Sequence, residues 1–181
     1  MIPDGPTVRL SHMKIPLVVA ALLAATPALG AEAVALSVEA LARASDAVVR
    51  GQVKKLAVTT SPDGLRIFTL ADVEVAATWR GGAARTVQVI VPGGVLGRIG
   101  QRVDGVPAFA EGEEVVVFLT QAEAGGFRVA GLAQGKFSVA GVSAAPDTSH
   151  LRISTRQVAA GERPAEAMPL AELERRVRSV P

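Results

Sequence analysis

The sequence predicts a mainly β protein: a small antiparallel barrel of OB type with a short helix before it and a helix after it, a β-sandwich being the alternative. Three observations carry this. Valine dominates the apolar runs and glycine punctuates them, a composition that favours strands over a helical bundle. Turn clusters recur at short spacing, at Ser61-Pro62-Asp63-Gly64, Arg80-Gly81-Gly82, Ala124-Gly125-Gly126 and Gln134-Gly135. No strand–helix–strand units occur between them, which excludes a nucleotide-binding α/β fold.

Residues 35–46 (ALSVEALARASD) predict one short helix, with Ser37 as N-cap, Glu39 near the positive end of its dipole, and Leu36, Leu41 and Ala44 toward a core. A first strand follows over 47–58, with Val49, Gly51 and Val53 on one face and Arg50 and Gln52 on the other. Gly51 inside it predicts a bulge or sharp coiling. Residues 65–79 predict a second strand, long enough that it must bend. A third covers 86–91. Five glycines and two prolines make 92–108 (PGGVLGRIGQRVDGVPA) an irregular segment.

Residues 113–120 (EEVVVFLT) form an unbroken apolar strand, expected to be buried on both faces. Shorter strands are expected at 127–131, 136–139 and 151–154. After a connector at 157–168, residues 169–178 (PLAELERRVR) predict a helix with Pro169 at N1. Leu170, Leu173 and Val177 form its apolar stripe, with Glu172–Arg176 and Glu174–Arg178 as i,i+4 pairs. That stripe is expected to dock on the chain's own barrel; a partner-binding helix is the alternative.

The chain divides into 1–30, 31–158 and 159–181. From Met13 it reads MKIPLVVAALLAATPALG: a basic Lys14, an apolar run from Ile15 to Ala25, a break at Pro27, and small residues at Ala28 and Gly30. This is the grammar of a secretory signal peptide, with cleavage after Gly30. The run falls short of the ~20 residues that span a bilayer, so no membrane anchor is expected after cleavage. Met13 is the expected start, since residues 1–12 do not resemble the basic head of a leader. Residues 31–158 are then the barrel domain, and 159–181 the connector and C-terminal amphipathic helix. The protein is expected to be exported, either periplasmic or secreted.

Of the 19 Lys and Arg, Arg9 and Lys14 fall before residue 31; of the 17 Asp and Glu, Asp4 does. The exported part is therefore almost neutral, which argues against nucleic-acid binding, where affinity rests on many phosphate contacts. Cysteine is absent, which removes thiol nucleophiles, disulfides, Cys-based zinc sites and lipid attachment at a leader cysteine.

Several spaced features resemble a group of uncharacterised exported bacterial proteins of similar size. They are Ser45-Asp46-Ala47-Val48-Val49 leading to Gly51-Gln52-Val53; Val73-Glu74-Val75 before Trp79-Arg80-Gly81; Gly93-Gly94; Gly105-Val106-Pro107-Ala108-Phe109; Gly112-Glu113-Glu114 before Val115–Leu119; and Gln134-Gly135-Lys136-Phe137. Over residues 45–120 the layout is also similar to the netrin-like module, the family that includes the tissue inhibitors of metalloproteases. That resemblance implies an OB-type barrel and a binding role outside the cell. The inhibitory members use an N-terminal cysteine on the target's metal, so with no cysteine here no metal-chelating residue carries over.

Chemistry is sparse. His150 is the lone histidine after the leader. A Ser–His–Asp triad would need it with Asp147 and a serine, and no Gly-x-Ser-x-Gly elbow supports one; His150 reads as a solvated loop residue. No zinc or calcium pattern appears, nor a phosphate loop, so no metal or cofactor is expected. Glu111, Glu113 and Glu114 cluster; in a strand Glu111 and Glu113 would share a face about 7 Å apart. Such a pair invites a glycoside-hydrolase reading, but a polar turn before a buried strand explains it better, since the aromatics that stack sugars are scarce here. The five phenylalanines sit in apolar runs and read as core.

The reading that remains is an exported, non-catalytic binding module for an extracytoplasmic protein or glycan, contacting it through the 92–108 loop. Arg98, Arg102 and Asp104 are the candidate ligand contacts. Trp79, at a strand end, is either a further contact or a core anchor. A structural or assembly factor of the cell envelope, docking through the C-terminal helix, is the alternative. A carboxylate-based hydrolase at Glu111–Glu114 is a third reading.

Overall fold

The structure, a computed structural model, describes residues 32–123, 125–149, 151–154 and 162–181. In chain order its elements are β1 (Glu32–Val34), α1 (Val38–Arg43), β2 (Ala47–Thr60), β3 (Ile67–Arg80), β4 (Thr86–Pro92), β5 (Gly94–Leu96) and β6 (Ile99–Gln101). They continue with β7 (Glu114–Gln121), β8 (Phe127–Val129), β9 (Lys136–Ala140), β10 (Ser143–Pro146), β11 (Arg152–Ser154), β12 (Met168–Pro169) and α2 (Leu170–Arg178). The leader and His150 lie outside the described residues.

Five strands close a barrel. β2 pairs antiparallel with both β3 and β7, and β3 with β4. β8 closes the ring, antiparallel to β7 and parallel to β4. The ring order β2-β3-β4-β8-β7, with its parallel contact between the third and fifth barrel strands, is that of an OB-type barrel. Closure rules out the sandwich, and the β4–β8 contact corrects the expectation of a wholly antiparallel ring.

The barrel has two cores, and β7 belongs to both. Val115, Val117 and Leu119 point into the barrel with Val49, Val53, Val73 and Val89. Val116 and Phe118 point outward and are covered by α1, α2 and β9. Alternation with period two along a strand buried on both sides explains the unbroken apolar run. In the outer core Phe118 and Phe137 meet with ring centroids 5.8 Å apart. Phe68, Phe109 and Phe127 are only half-buried.

Ser37 caps α1 by accepting a hydrogen bond from Ala40 N at 2.9 Å. The buried face is Val38, Leu41 and Ala42; Ala44 is exposed, because the helix ends one residue before it. In α2, Leu173 and Val177 are fully buried in the outer core, so this helix docks on its own barrel. Glu174–Arg178 forms the expected pair at 2.8 Å. Glu172 instead pairs with Arg175, and Arg176 crosses to Glu39 of α1 at 2.6 Å.

Gly51 lies where the β2–β3 register shifts, and a Cβ there would stand 2.3 Å from the Glu74 carbonyl oxygen. The glycine permits the close strand crossing that coils β2. β1, β10 and β12 were not legible: they are four residues or fewer, and β1 and β12 take their pairing from β11 and β10, remote in the chain.

Candidate functional site

The barrel end beside the β2–β3 turn is covered by the segment from Pro92 to Glu113. It is more ordered than its composition predicts. Gly93 donates its N–H to Ile67 O at 2.7 Å, and Thr69 Oγ1 donates to Gly93 O at 2.9 Å. A Cβ on Gly94 would stand 2.6 Å from Thr69 Oγ1, so only glycine lets the chain fold back this tightly. The chain then makes the β5–β6 hairpin, a regular element where none was expected. Gln101 Oε1 accepts from Ile67 N at 2.6 Å and ties the hairpin's base to the start of β3.

Beneath the hairpin and the strand-less run after it lies a cleft of about 660 Å³. Thr69, Val91, Gln101, Val106 and Phe109 contribute to its walls, with Arg102 and Asp104 on them. Arg102 Nε lies 3.4 Å from Asp104 Oδ1, so these two candidates come together at the cleft as an ion pair. Arg98 does not line it; it is exposed at the hairpin turn. Trp79 does not line the cleft: it is 5% exposed, in the outer core. The β2–β3 register shifts between Val75 and Ala77, so the side of β3 that faces inward at Ala71, Val73 and Val75 faces outward at Ala77 and Trp79, toward α2.

The hairpin presents apolar side chains to solvent. Val95 and Ile99 are 68% and 70% exposed, Leu96 is exposed as well, and Leu65 in the neighbouring turn is 80% exposed. Apolar residues on a strand pair normally face a core. Their register puts Leu96 and Ile99 on one face of the hairpin and Val95, opposite Gly100, on the other, and all three stay exposed.

The trailing leg of the segment is held by a buried lysine. Lys136 Nζ, on β9, lies 2.7 Å from Glu113 Oε1 and 3.7 Å from Asp147 Oδ2. Ser138 Oγ donates to Glu113 at 2.6 Å. Ala108 N and Ala110 N donate to Asp147 and Glu113, and the Phe109 ring covers Nζ at 5.2 Å from its centroid. Lys136 Nζ spends its donors on Glu113, Ser138 and Asp147 within the cluster, so the cluster works as a clamp on residues 108–113. Lysine is almost never this buried without such partners. The sequence placed Lys136 only within Gln134-Gly135-Lys136-Phe137, and nothing in that motif announces an ion cluster. Its neighbours are structural too: Gln134 bonds Leu36 N and Val34 O, and a Cβ on Gly135 would strike Ala130 O.

The acidic cluster is dispersed. Glu111 lies in the turn before β7, so the shared strand face expected for Glu111 and Glu113 does not form. Glu111 accepts from Leu56 N at 2.9 Å, Glu113 belongs to the clamp, and Glu114 pairs with Arg50. Among the described residues no three His, Cys, Asp or Glu gather as a metal site, and no helix is long and apolar enough to cross a membrane.

No protein-family model, curated protein or solved structure matches the chain.

Proposed function

We propose that this is an exported, non-catalytic binding module, and that its contact surface is the barrel end formed by the β5–β6 hairpin, the 61–66 turn and the 102–109 leg. One observation carries the reading: a hairpin anchored at its base by Gln101 and Gly93 holds Val95, Leu96 and Ile99 out to solvent above a cleft. Grouped exposed apolar side chains are characteristic of interaction surfaces. In OB barrels ligands usually meet the face of strands two and three and the loop between strands one and two, which here is the 61–66 turn. Export rests on the leader grammar of residues 13–30. The partner class this surface suits best is a protein, since aliphatic contact dominates and the ring of Phe109, in the 102–109 leg, is engaged over Lys136 Nζ.

An envelope assembly role through α2 loses its docking element, because the helix's apolar stripe is spent on its own core. The hydrolase reading loses the paired geometry at Glu111 and Glu113.

Affinity capture tests the proposal. Immobilised protein and a Val95→Asp/Ile99→Asp variant are exposed to envelope extract and culture fluid of the source cell and washed at low and high salt. The reading expects a stoichiometric protein held by the wild type and lost by the variant, with equal denaturation midpoints. Equal retention by both proteins would contradict it.

A further inference from the structure

β4 and β8 touch at one bridge only, Val89 with Phe127, and then part. Pro92 ends β4 and has no N–H to continue the ladder. The gap is a cleft of about 360 Å³ that adjoins the one under the hairpin, with Val91, Pro92, Gln101, Val106 and Pro107 lining both. Ile90, Pro107, Val129 and Leu132 give it apolar walls. Leu132 holds a left-handed backbone at φ 60°, costly for a branched residue, and its side chain is left 42% exposed on this wall. Arg66 and Arg128 stand on the rim. Both are exposed, and among the described residues neither has a carboxylate within 4.0 Å, whereas Arg50, Arg80, Arg102 and Arg176 all have intramolecular partners.

We propose that this cleft binds a small amphiphilic anion: an apolar chain held between Ile90, Pro107, Val129 and Leu132, with its anionic head at Arg66 and Arg128. The volume lies at the lower end of small-molecule sites. An apolar wall alone would take any hydrocarbon. Two exposed arginines, neither held in an ion pair among the described residues although Arg66 acts electrostatically on Asp63 in the same turn, offer the anionic head, carboxylate or phosphate, charge-assisted hydrogen bonds. The cleft shares Arg66 and Pro107 with the proposed contact surface, but the inference rests on the cleft's own lining and stands if that surface has no protein partner.

Titration calorimetry of the folded protein tests it, with dodecanoate, dodecyl phosphate, dodecanol, dodecylammonium and acetate as probes below their micellar concentrations. One equivalent of dodecanoate or of dodecyl phosphate binds, and whichever head is preferred identifies the physiological class. Dodecanol and dodecylammonium bind about tenfold more weakly or less, and acetate not at all. Arg66→Gln/Arg128→Gln lowers dodecanoate affinity about tenfold or more with an unchanged thermal midpoint, because both side chains are exposed. Dodecanol binding as tightly as dodecanoate, or an undiminished double variant, would overturn the assignment. So would attachment to phosphatidylglycerol vesicles without any binding of the monomeric anions, which would mark a membrane contact and no pocket.

Discussion

Lys136 Nζ lies 2.7 Å from Glu113 Oε1, across 23 residues of sequence, and the lysine side chain is only 3% exposed. The pair joins β9 to the approach of β7 and thereby fixes the trailing leg of the segment over the barrel mouth. Removing one partner of a buried pair leaves the other uncompensated, at ~3 kcal/mol or more. Glu113 and Asp147 keep some solvent contact, so Lys136→Met is expected to cost about 3 kcal/mol in urea denaturation. Glu113→Gln, which keeps a hydrogen-bond acceptor, is expected to cost less. Amide exchange at Ala108 and Ala110 should accelerate in Lys136→Met before the rest of the barrel opens.

Two glycines separate space from conformation. A Cβ at Gly51 meets backbone, the Glu74 carbonyl oxygen at 2.3 Å, and neither strand can withdraw without breaking the barrel. Gly51→Ala is expected to cost about 3 kcal/mol, the upper range of overpacking. Gly64 meets nothing within 4 Å but has φ +71°. Gly64→Ala should cost only ~1 kcal/mol, the left-handed penalty alone. Equal midpoints for the two variants would contradict the bulge account.

The α1–α2 tie predicts an acid limb of stability. The Glu39 carboxyl is held below its usual range, chiefly by the hydrogen bond from Arg176 and against some desolvation. Glu162 is likewise held low, by Ser37 first and then Arg43. A carboxyl depressed in the folded state stabilises it above the ordinary pKa, and that contribution disappears as pH falls through the folded value. Denaturation midpoints should therefore be flat above about pH 5 and fall below about pH 4. Glu39→Gln should flatten part of that fall and cost ~1 kcal/mol at neutral pH, as for a half-exposed pair.

Trp79 is the chain's sole tryptophan and is buried under α2. Its emission should be blue-shifted in the native protein and move red in one step on unfolding. Trp79→Ala is expected to cost about 3–5 kcal/mol. Any loss of partner binding in that variant should be recovered under conditions that restore folding.

The barrel was legible because strand alternation and turn chemistry are local. Val49-Gly51-Val53 and the run from Val115 to Leu119 carry their facing in their own spacing. What escaped depends on contacts between distant residues. The β5–β6 hairpin is built from glycines whose fit against Thr69 and Gln101 no local pattern records. Lys136 looks like any strand lysine until Glu113 and Asp147 are brought to it. Trp79 stood at a strand end, where sequence leaves facing open, and α2 decided it. Of the candidate contacts, Arg102 and Asp104 lie within the irregular segment and come together at the cleft; Arg66 and Arg128 carried no local signal, since they share a cleft only where β4 and β8 part.

The proposed contact surface is the barrel end around the β5–β6 hairpin. Hydrogen–deuterium exchange of the full chain, alone and with the protein partner recovered by capture, tests it most directly. The account predicts that new protection is confined to residues 61–66 and 93–109, with α1 and α2 unchanged. Protection centred on the helices, or none over 93–109 at saturating partner, would contradict it.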